Sequence, residues 1–245
     1  MKKVLILGAT SSIAKAIADE LARQGANLFL AGRNSLELER TARDLEIRHK
    51  IEVNFGQVDS KEFSSHTSFI KEAIEDLGGI DGVVFAIGHL GEQPQDSHDG
   101  ETAREIVDIN FTSAVTLLSS VANVLENQEY GFILGLSSVA GDRARQSNYV
   151  YGAAKGGLSL YLQGLRNRLD RCGVQVITLK LGFVDTPMTY GKNRLFWVSS
   201  PEYVGRLACQ TLKKSAGVYY IPCFWRMIMF IIRCVPERIF KKLSL

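Results

Sequence analysis

The stretch KKVLILGATSSIAKAIADELARQG, residues 2–25, decides the fold. Its first half is a short apolar run, Val4 to Leu7, of the kind that forms a strand buried on both faces. Its second half repeats Ile13, Ile17 and Leu21 at helical spacing, which gives one apolar face for a helix to bury. Between the two, GATSSIA at 8–14 must turn strand into helix, and Gly8 suits the tight turn because it lacks a side chain. The amides of the helix then point back at whatever the loop holds, and phosphate is favoured there by hydrogen bonding and by the helix dipole. A three-glycine loop would let the backbone approach a pyrophosphate at its second glycine and pack helix on strand at its third. Here Ser12 and Ala14 fill those positions, while Thr10, Ser11 and Ser12 add hydroxyls that can donate or cap. Taken alone, the stretch fits a phosphate loop and a turn that binds nothing equally well.

Working outward, the same alternation continues. Apolar runs at 27–31, 51–58, 81–87, 131–137, 174–180 and 217–222 are separated by helical patterns such as Leu158, Leu162, Leu165 and Leu169. The expectation is an α/β fold: a doubly wound, seven-stranded parallel sheet with helices on both faces and right-handed crossovers. No linker interrupts the 245 residues, so one domain is expected over 1–222, with 223–245 as an apolar, cationic tail of that domain. Ligands in such sheets bind beyond the carboxyl ends of the strands, so the residues that follow each strand carry the functional reading.

Composition narrows the classes. The 29 Lys and Arg against 26 Asp and Glu leave +3, spread along the chain rather than gathered into a stripe, so no nucleic-acid partner is expected. Cys172, Cys209, Cys223 and Cys234 show no CxxC spacing, which points to reduced thiols and no metal site. A strand that begins within three residues of the N-terminus leaves no apolar signal region, so a cytoplasmic location is expected.

After the second run, LFLAGRN offers no acidic residue to clasp an adenosine ribose but does offer Arg33, which suits a 2′-phosphate. NADP(H) is therefore preferred over NAD(H). Asp59, in GQVDS, either meets the adenine edge or caps the next helix. In YVYGAAK, Tyr151 and Lys155 stand four apart on one helical face, whereas the residue four beyond Tyr149 is Ala153. A neighbouring ammonium and an oxidised nicotinamide would both lower the Tyr151 phenol from about 10, so that it could exchange a proton with a carbonyl or alcohol oxygen. Ser138 ends the preceding run, thirteen residues earlier, and Asn110 in VDINFTS completes a polar set of four.

This ordered set resembles the single-domain short-chain dehydrogenases/reductases, over residues 1 to about 222. The resemblance implies a Rossmann fold that interconverts a ketone and a secondary alcohol by hydride transfer, most naturally as an NADP(H)-dependent reductase. It implies that Gly8, Thr10, Ser11, Ser12 and Ile13 line the cofactor phosphates, Arg33 the 2′-phosphate, and Val58 with Asp59 the adenine. Asn110 would anchor a proton-relay water, Ser138 would orient the substrate oxygen and Tyr151 would be the acid/base. Lys155 would bind the nicotinamide ribose and lower the Tyr151 pKa, and Thr186 would meet the carboxamide. Ala86, Ile87, Gly88, Gly182 and Val184 complete the implied cofactor contacts. FAIG at 85–88 departs from the family's Asn-Asn-Ala-Gly, and Leu181-Gly182 from its Pro-Gly. A homodimer or homotetramer is implied as well.

The tail, CFWRMIMFIIRCVPERIFKKLSL, is longer and greasier than such a fold requires. On a helical projection Arg226, Arg233, Glu237 and Lys241 share a stripe, and Phe224, Trp225, Met227, Ile228, Met229, Ile231 and Ile232 fill the remainder. Two arginines break the apolar run, so a transmembrane span is not expected. Pro236 should open a second short helix. Either an interfacial segment on a membrane or lipid-like substrate, or an arm buried against the body or another subunit, fits the pattern. The tail is similar to those of short-chain reductases of lipid-linked keto-sugars, such as decaprenylphosphoryl keto-pentose reductases, which implies a hydrophobic or lipid-linked substrate and a peripheral membrane position. The segment at 183–200, with Met188, Tyr190, Leu195, Phe196 and Trp197, fits a lid over an apolar substrate or a surface loop packed on the tail. The competing function is a membrane-associated nucleotide-binding sensor or scaffold without turnover.

Overall fold

A computed structural model describes residues 2–92, 98–190 and 196–243. The strands are β1 (Lys3–Leu7), β2 (Asn27–Gly32), β3 (Val53–Gln57), β4 (Gly82–Phe85), β5 (Gly131–Ser138), β6 (Val174–Leu181) and β7 (Gly217–Ile221). All pairings between them are parallel, in the order β3-β2-β1-β4-β5-β6-β7. The chain starts at the centre, winds outward one way and returns to β4, so β1 and β4 flank the point where the winding reverses. In open sheets of this kind the crevice for a ligand opens there.

The helices are α1 (Ser12–Arg23), α2 (Ser35–His49), α3 (His66–Leu77), α4 (Gly100–Val107), α5 (Ser113–Gln128), α6 (Tyr149–Leu169) and α7 (Pro201–Thr211), followed in the tail by α8 (Trp225–Cys234) and α9 (Glu237–Phe240). Successive strand residues face opposite sides, so the sheet supports two cores. On one side Val4, Ile6, Leu28 and Leu30 meet Ile17 and Leu21 of α1, Leu38 of α2 and Val204 of α7. On the other side Leu5, Leu7 and Val83 meet Ile70 of α3, Leu117 and Val121 of α5, and Leu158 and Leu162 of α6. Each such side chain, fully buried, contributes roughly 1.5 to 3 kcal/mol.

The β1–α1 loop is fixed by two local devices. Gly8 has φ +82, and a Cβ there would stand 2.8 Å from the Ile87 nitrogen, so the turn needs glycine both for its conformation and for its approach to the chain after β4. Ser11 caps α1 by accepting from the Ala14 nitrogen at 3.2 Å. Ala14 is completely buried, as close packing of α1 on the sheet requires. The axis of α1 is set in turn by α7, where a Cβ on Gly205 would come within 2.7 Å of the Ala16 carbonyl carbon.

The tail divides its apolar surface between two tasks. Trp225 and Met229 are buried, and with Ile228 and Ile232 they pack against Val139, Phe183 and Tyr220. Phe224, Met227, Phe230 and Ile231 project outward, with Met227, Phe230 and Ile231 each more than 60% exposed. Pro236 separates α8 from α9, so Glu237 and Lys241 do not continue the polar stripe of α8. Arg143 closes the end of α8 by donating to the carbonyls of Ile232, Arg233 and Val235 at 3.2, 3.0 and 2.7 Å. It also pairs with Glu237 at 3.0 Å and lies over the Phe240 ring at 4.0 Å. Among the described residues no helix is long and apolar enough to cross a membrane.

Gly205→Val should force α7 off α1 and destabilise the protein by about 1 to 3 kcal/mol. A lowered chemical-denaturation midpoint checks this, and an unchanged midpoint would mean that α1 and α7 separate without cost.

Candidate active site

The groove lies at the carboxyl edge of the sheet, at the winding reversal. One part, a cavity of about 260 Å³, is lined by Thr10, Ser11, Ser12 and Ile13 of the first loop, Ala86, Ile87 and Gly88 after β4, Tyr151 and Lys155 of α6, and Thr186. A second cavity of about 180 Å³ shares Thr10, Ser11, Ala86, Ile87 and Gly88 with the first and extends to Gly8, Arg33 and Val58. The two therefore form one continuous channel over the loop, with Tyr151 at one end and Arg33 at the other. Arg33 is exposed and makes no hydrogen bond or ion pair among the described residues, which leaves its guanidinium available to a ligand.

Three expected contacts fall outside the channel walls. The Asp59 side chain accepts from the Lys61 nitrogen at 2.9 Å and its carbonyl holds His66 Nε2 at 2.9 Å, so Asp59 shapes the turn towards α3 while Val58 and Ser60 line the channel. Gly182 is covered by the Trp225 indole, whose Nε1 would lie 1.9 Å from a Cβ at that position. That Nε1 is buried without a partner among the described residues. Val184 is buried in an isolated bridge to Ser199, which fastens the lid segment. Met188 lines the channel, while Phe196 stacks on Trp225 and Trp197 meets Phe224 edge-on, so part of the segment packs on the tail; Leu195 lies outside the described residues.

The polar set of four converges. Lys155, 3% exposed, extends its ammonium to the carbonyls of Ile87 at 3.3 Å and Leu136 at 3.2 Å. A Cβ on Gly88 would lie 3.2 Å from both Lys155 Nζ and Asn110 Oδ1, so glycine here lets the chain after β4 pass between them. Asn110, fully buried, donates to the carbonyls of His89 at 2.6 Å and Ile106 at 2.8 Å and accepts from the His89 nitrogen at 3.2 Å. It sits in a π-helical turn, Asp108–Thr112, between α4 and α5. Such wide turns recur at functional sites because they displace a side chain from the regular helical face. Ser138 accepts from the Ala140 nitrogen at 3.1 Å at the end of β5, and its hydroxyl hydrogen-bonds Tyr151.

The expected lowering of the phenol is not met in this state. Burial pushes Tyr151 up to about 12, partly offset by the Ser138 hydroxyl. Burial likewise pushes Lys155 down to about 7. Both shifts have one cause, removal of the charged form from water. The ammonium lies 5.8 Å from the Tyr151 ring centroid and spends its hydrogen bonds on carbonyls. Tyr151 is thus a protonated donor through the neutral range, held beside a hydroxyl that can share the same oxygen atom of a substrate.

His89 and Ser60 also line the channel and were not singled out from sequence. The signal was available for His89, which directly follows Gly88 at the carboxyl end of β4.

Comparison with known proteins agrees with this geometry. Residues 2–194 match the short chain dehydrogenase family. An uncharacterized oxidoreductase of Mycobacterium tuberculosis is 31% identical over 240 residues, covering 98% of this chain and 96% of that one. An uncharacterized oxidoreductase of Streptomyces coelicolor is 32% identical over 244 residues, covering 99% and 96%. Among solved structures, levodione reductase superposes with TM-score 0.81 at 21% identity, covering 90% of this chain and 95% of that one. The NADPH-dependent 3-quinuclidinone reductase of Rhodotorula rubra gives 0.79 at 19%, covering 89% of each chain. An NAD+-bound xylitol dehydrogenase gives 0.81 at 18%, covering 90% and 97%. The chain is an oxidoreductase that belongs to the short-chain dehydrogenase family.

Proposed function

We propose that the protein is an NADP(H)-dependent reductase that converts a ketone on an apolar or lipid-linked substrate to a secondary alcohol. The observation that carries this reading is the meeting of Tyr151 and Lys155 at one end of a channel, with Ser138 bonded to Tyr151 and Asn110 holding the His89 backbone behind the wall, while the other end holds the unpaired Arg33. The channel fits a dinucleotide on its own evidence: a glycine turn that a Cβ would block, a capped helix N-terminus, and a buried ammonium beside Gly88.

Bound there, a nicotinamide supplies hydride to the substrate carbon. The first-loop residues from Gly8 to Ile13 would hold the phosphates and Arg33 the 2′-phosphate, where a guanidinium offers a fork of donors. Lys155 would bind the ribose hydroxyls. Its ammonium would also keep the pocket favourable to a developing phenolate once Tyr151 gives up its proton. Ser138 donates to the carbonyl oxygen and orients it, and the protonated Tyr151 hydroxyl transfers its proton to that oxygen as negative charge builds. Asn110 keeps the backbone of His89 in place, which fixes the channel wall opposite Lys155.

The apolar substrate class is supported by Met188 in the channel and by the surface around its lid. Phe196, Trp197, Phe224, Met227 and Ile231 are exposed, and Trp197 meets Phe224 at 5.1 Å between ring centroids, so lid and tail form one outward apolar patch. The tail adds Arg226, Arg233, Arg238, Lys241 and Lys242 against Glu237, and Arg143 already pairs with that acid. An apolar face bordered by cations suits the surface of an anionic membrane.

Nicotinamide fluorescence should report tighter binding of NADPH than of NADH, and Arg33→Ser should weaken NADPH by about 10- to 100-fold with little effect on NADH. Equal affinities in the parent protein would overturn the role of Arg33. With a panel of cyclic and long-chain ketones, Tyr151→Phe should lower kcat by at least about 100-fold while NADPH binding persists. Undiminished NADPH oxidation would move proton transfer to another group. The full chain should float with vesicles containing phosphatidylglycerol and stay down with phosphatidylcholine alone. Replacing Phe224, Met227, Phe230 and Ile231 together by Ser should abolish flotation, and if flotation survives that change, the outward face of α8 is not the contact.

A further inference from the structure

Beyond the reductase centre, Arg145 is a partly buried cation without a counterpart among the described residues. Arg145 lies in the connection between Ser138 and α6. It is half-buried, and its guanidinium makes no hydrogen bond, ion pair or ring contact among the described residues. The protein's other partly covered arginines are satisfied: Arg143 by carbonyls and Glu237, and Arg166 by the carbonyls of Val176 and Gly217 and the Thr178 hydroxyl. A guanidinium partly removed from water without a partner is disfavoured, and burial correspondingly pushes Arg145 below the usual arginine range. A residue so placed is best explained by a ligand that completes it.

The surroundings define that ligand. Arg145 lines a cavity of about 320 Å³ between this connection and α9, with Lys241 on the facing wall and the apolar side chains of Phe240 and Leu243 beside it. Lys241 has no ion pair among the described residues, and the one acid on the wall, Glu237, is engaged by Arg143 at 3.0 Å. Two free cations from separate elements suit a group with several charged oxygens, and the apolar wall suits a hydrocarbon attached to it. The cavity is tied to the catalytic helix. The Arg145 carbonyl accepts from the Asn148 nitrogen at 3.0 Å, and the Asn148 carbonyl accepts from the Gly152 nitrogen at 2.8 Å, next to Tyr151. The Ala144 Cα lies 3.9 Å from the position of a Cβ on Gly152. Asn148 Oδ1 is buried and unpaired among the described residues, an acceptor in the same connection.

We propose that Arg145 and Lys241 form an anion site beside the connection that leads into α6, taking the phosphate ester of an amphiphile whose apolar chain lies along Phe240 and Leu243. This rests on the reductase reading only for any link to turnover; the site itself is argued from the two cations and the apolar wall.

Calorimetric titration of the NADPH-loaded protein with monomeric dihexanoylphosphatidate tests the site. The parent should bind it, and Arg145→Gln should bind at least tenfold more weakly. Dihexanoylphosphatidylcholine, whose phosphate carries its own cation, and inorganic phosphate should both bind at least tenfold more weakly than phosphatidate. Equal phosphatidate binding by parent and variant overturns the site. Inorganic phosphate binding as tightly as phosphatidate overturns the assignment to an ester on an apolar chain. Without ligand, Arg145→Gln should melt at or above the parent temperature, because an uncompensated charge leaves, and a clear fall would make Arg145 a structural residue and overturn the proposal. Fluorescence titration with NADPH keeps the two readings apart. A parent protein that fails to bind NADPH sinks the reductase reading, while phosphatidate titration of the unloaded protein still reports on Arg145.

Discussion

The buried amine of Lys155 organises one end of the channel at the carboxyl edge of the sheet. Lys155 is buried, and its Nζ donates to the carbonyls of Ile87 and Leu136 and lies 5.8 Å from the centroid of the Tyr151 ring. The Ile87 carbonyl lies just beyond β4 and the Leu136 carbonyl inside β5, so the amine bridges two neighbouring chains of the sheet where α6 passes them, and these acceptors offset part of the cost of its burial. The approach is as close as backbone allows. A Cβ on Gly152 would stand 2.8 Å from the Ala140 carbonyl oxygen, and one on Gly156 would stand 3.1 Å from that of Gly141. Ser137 and Ser159 both hydrogen-bond the Lys155 carbonyl, at 3.0 and 2.9 Å, and so pin the helix turn itself. Gly152 and Gly156 are therefore packing requirements of the helix turn that carries Lys155.

That constraint explains why so much was legible in the sequence. Strands buried on both faces must be continuously apolar, which made seven of them readable as runs, and the switch point follows from their parallel winding. Tyr151 and Lys155 share one helix face, and Ser138 ends the strand against which that helix packs, so chain order was enough to bring the three together. Asn110 was readable as a residue type, but its setting was not, because a π-helical turn leaves no mark in apolar periodicity. Asp59, Gly182 and Val184 lie off the channel walls for a different reason. Each sits where the spacing predicts, but a local turn, an indole and a bridge to Ser199 claim them first, and such claims depend on residues far away in the chain.

The tail shows where pattern alone fails. A helix apolar over most of its circumference can bury one face and present another, and α8 does both. Trp225 and Met229 go inward onto Val139 and Phe183, while Met227 and Ile231 go outward. Periodicity cannot divide such a surface, because the division is made by what lies beneath. Here that is Gly182, whose missing side chain leaves room for the Trp225 indole.

The same geometry links the tail to the reaction centre mechanically. Two successive residues after the Ser138 turn fasten it to different parts of the molecule. Asp142, almost fully buried, is bound by Lys180 of β6 and accepts from the Tyr220 hydroxyl of β7 at 2.7 Å. Arg143 closes the last turn of α8 through three carbonyls. Displacing α8 would strand those carbonyls, expose Trp225 and release the outer anchor of the segment that runs from Ser138 to Tyr151. With Asp142 still held by two strands, the disturbance would concentrate in the residues from Arg143 to Asn148, between the anchored turn and the helix. Arg145 lies in that span, so the position of the tail and the shape of the cavity between Arg145 and α9 are parts of one mechanical unit.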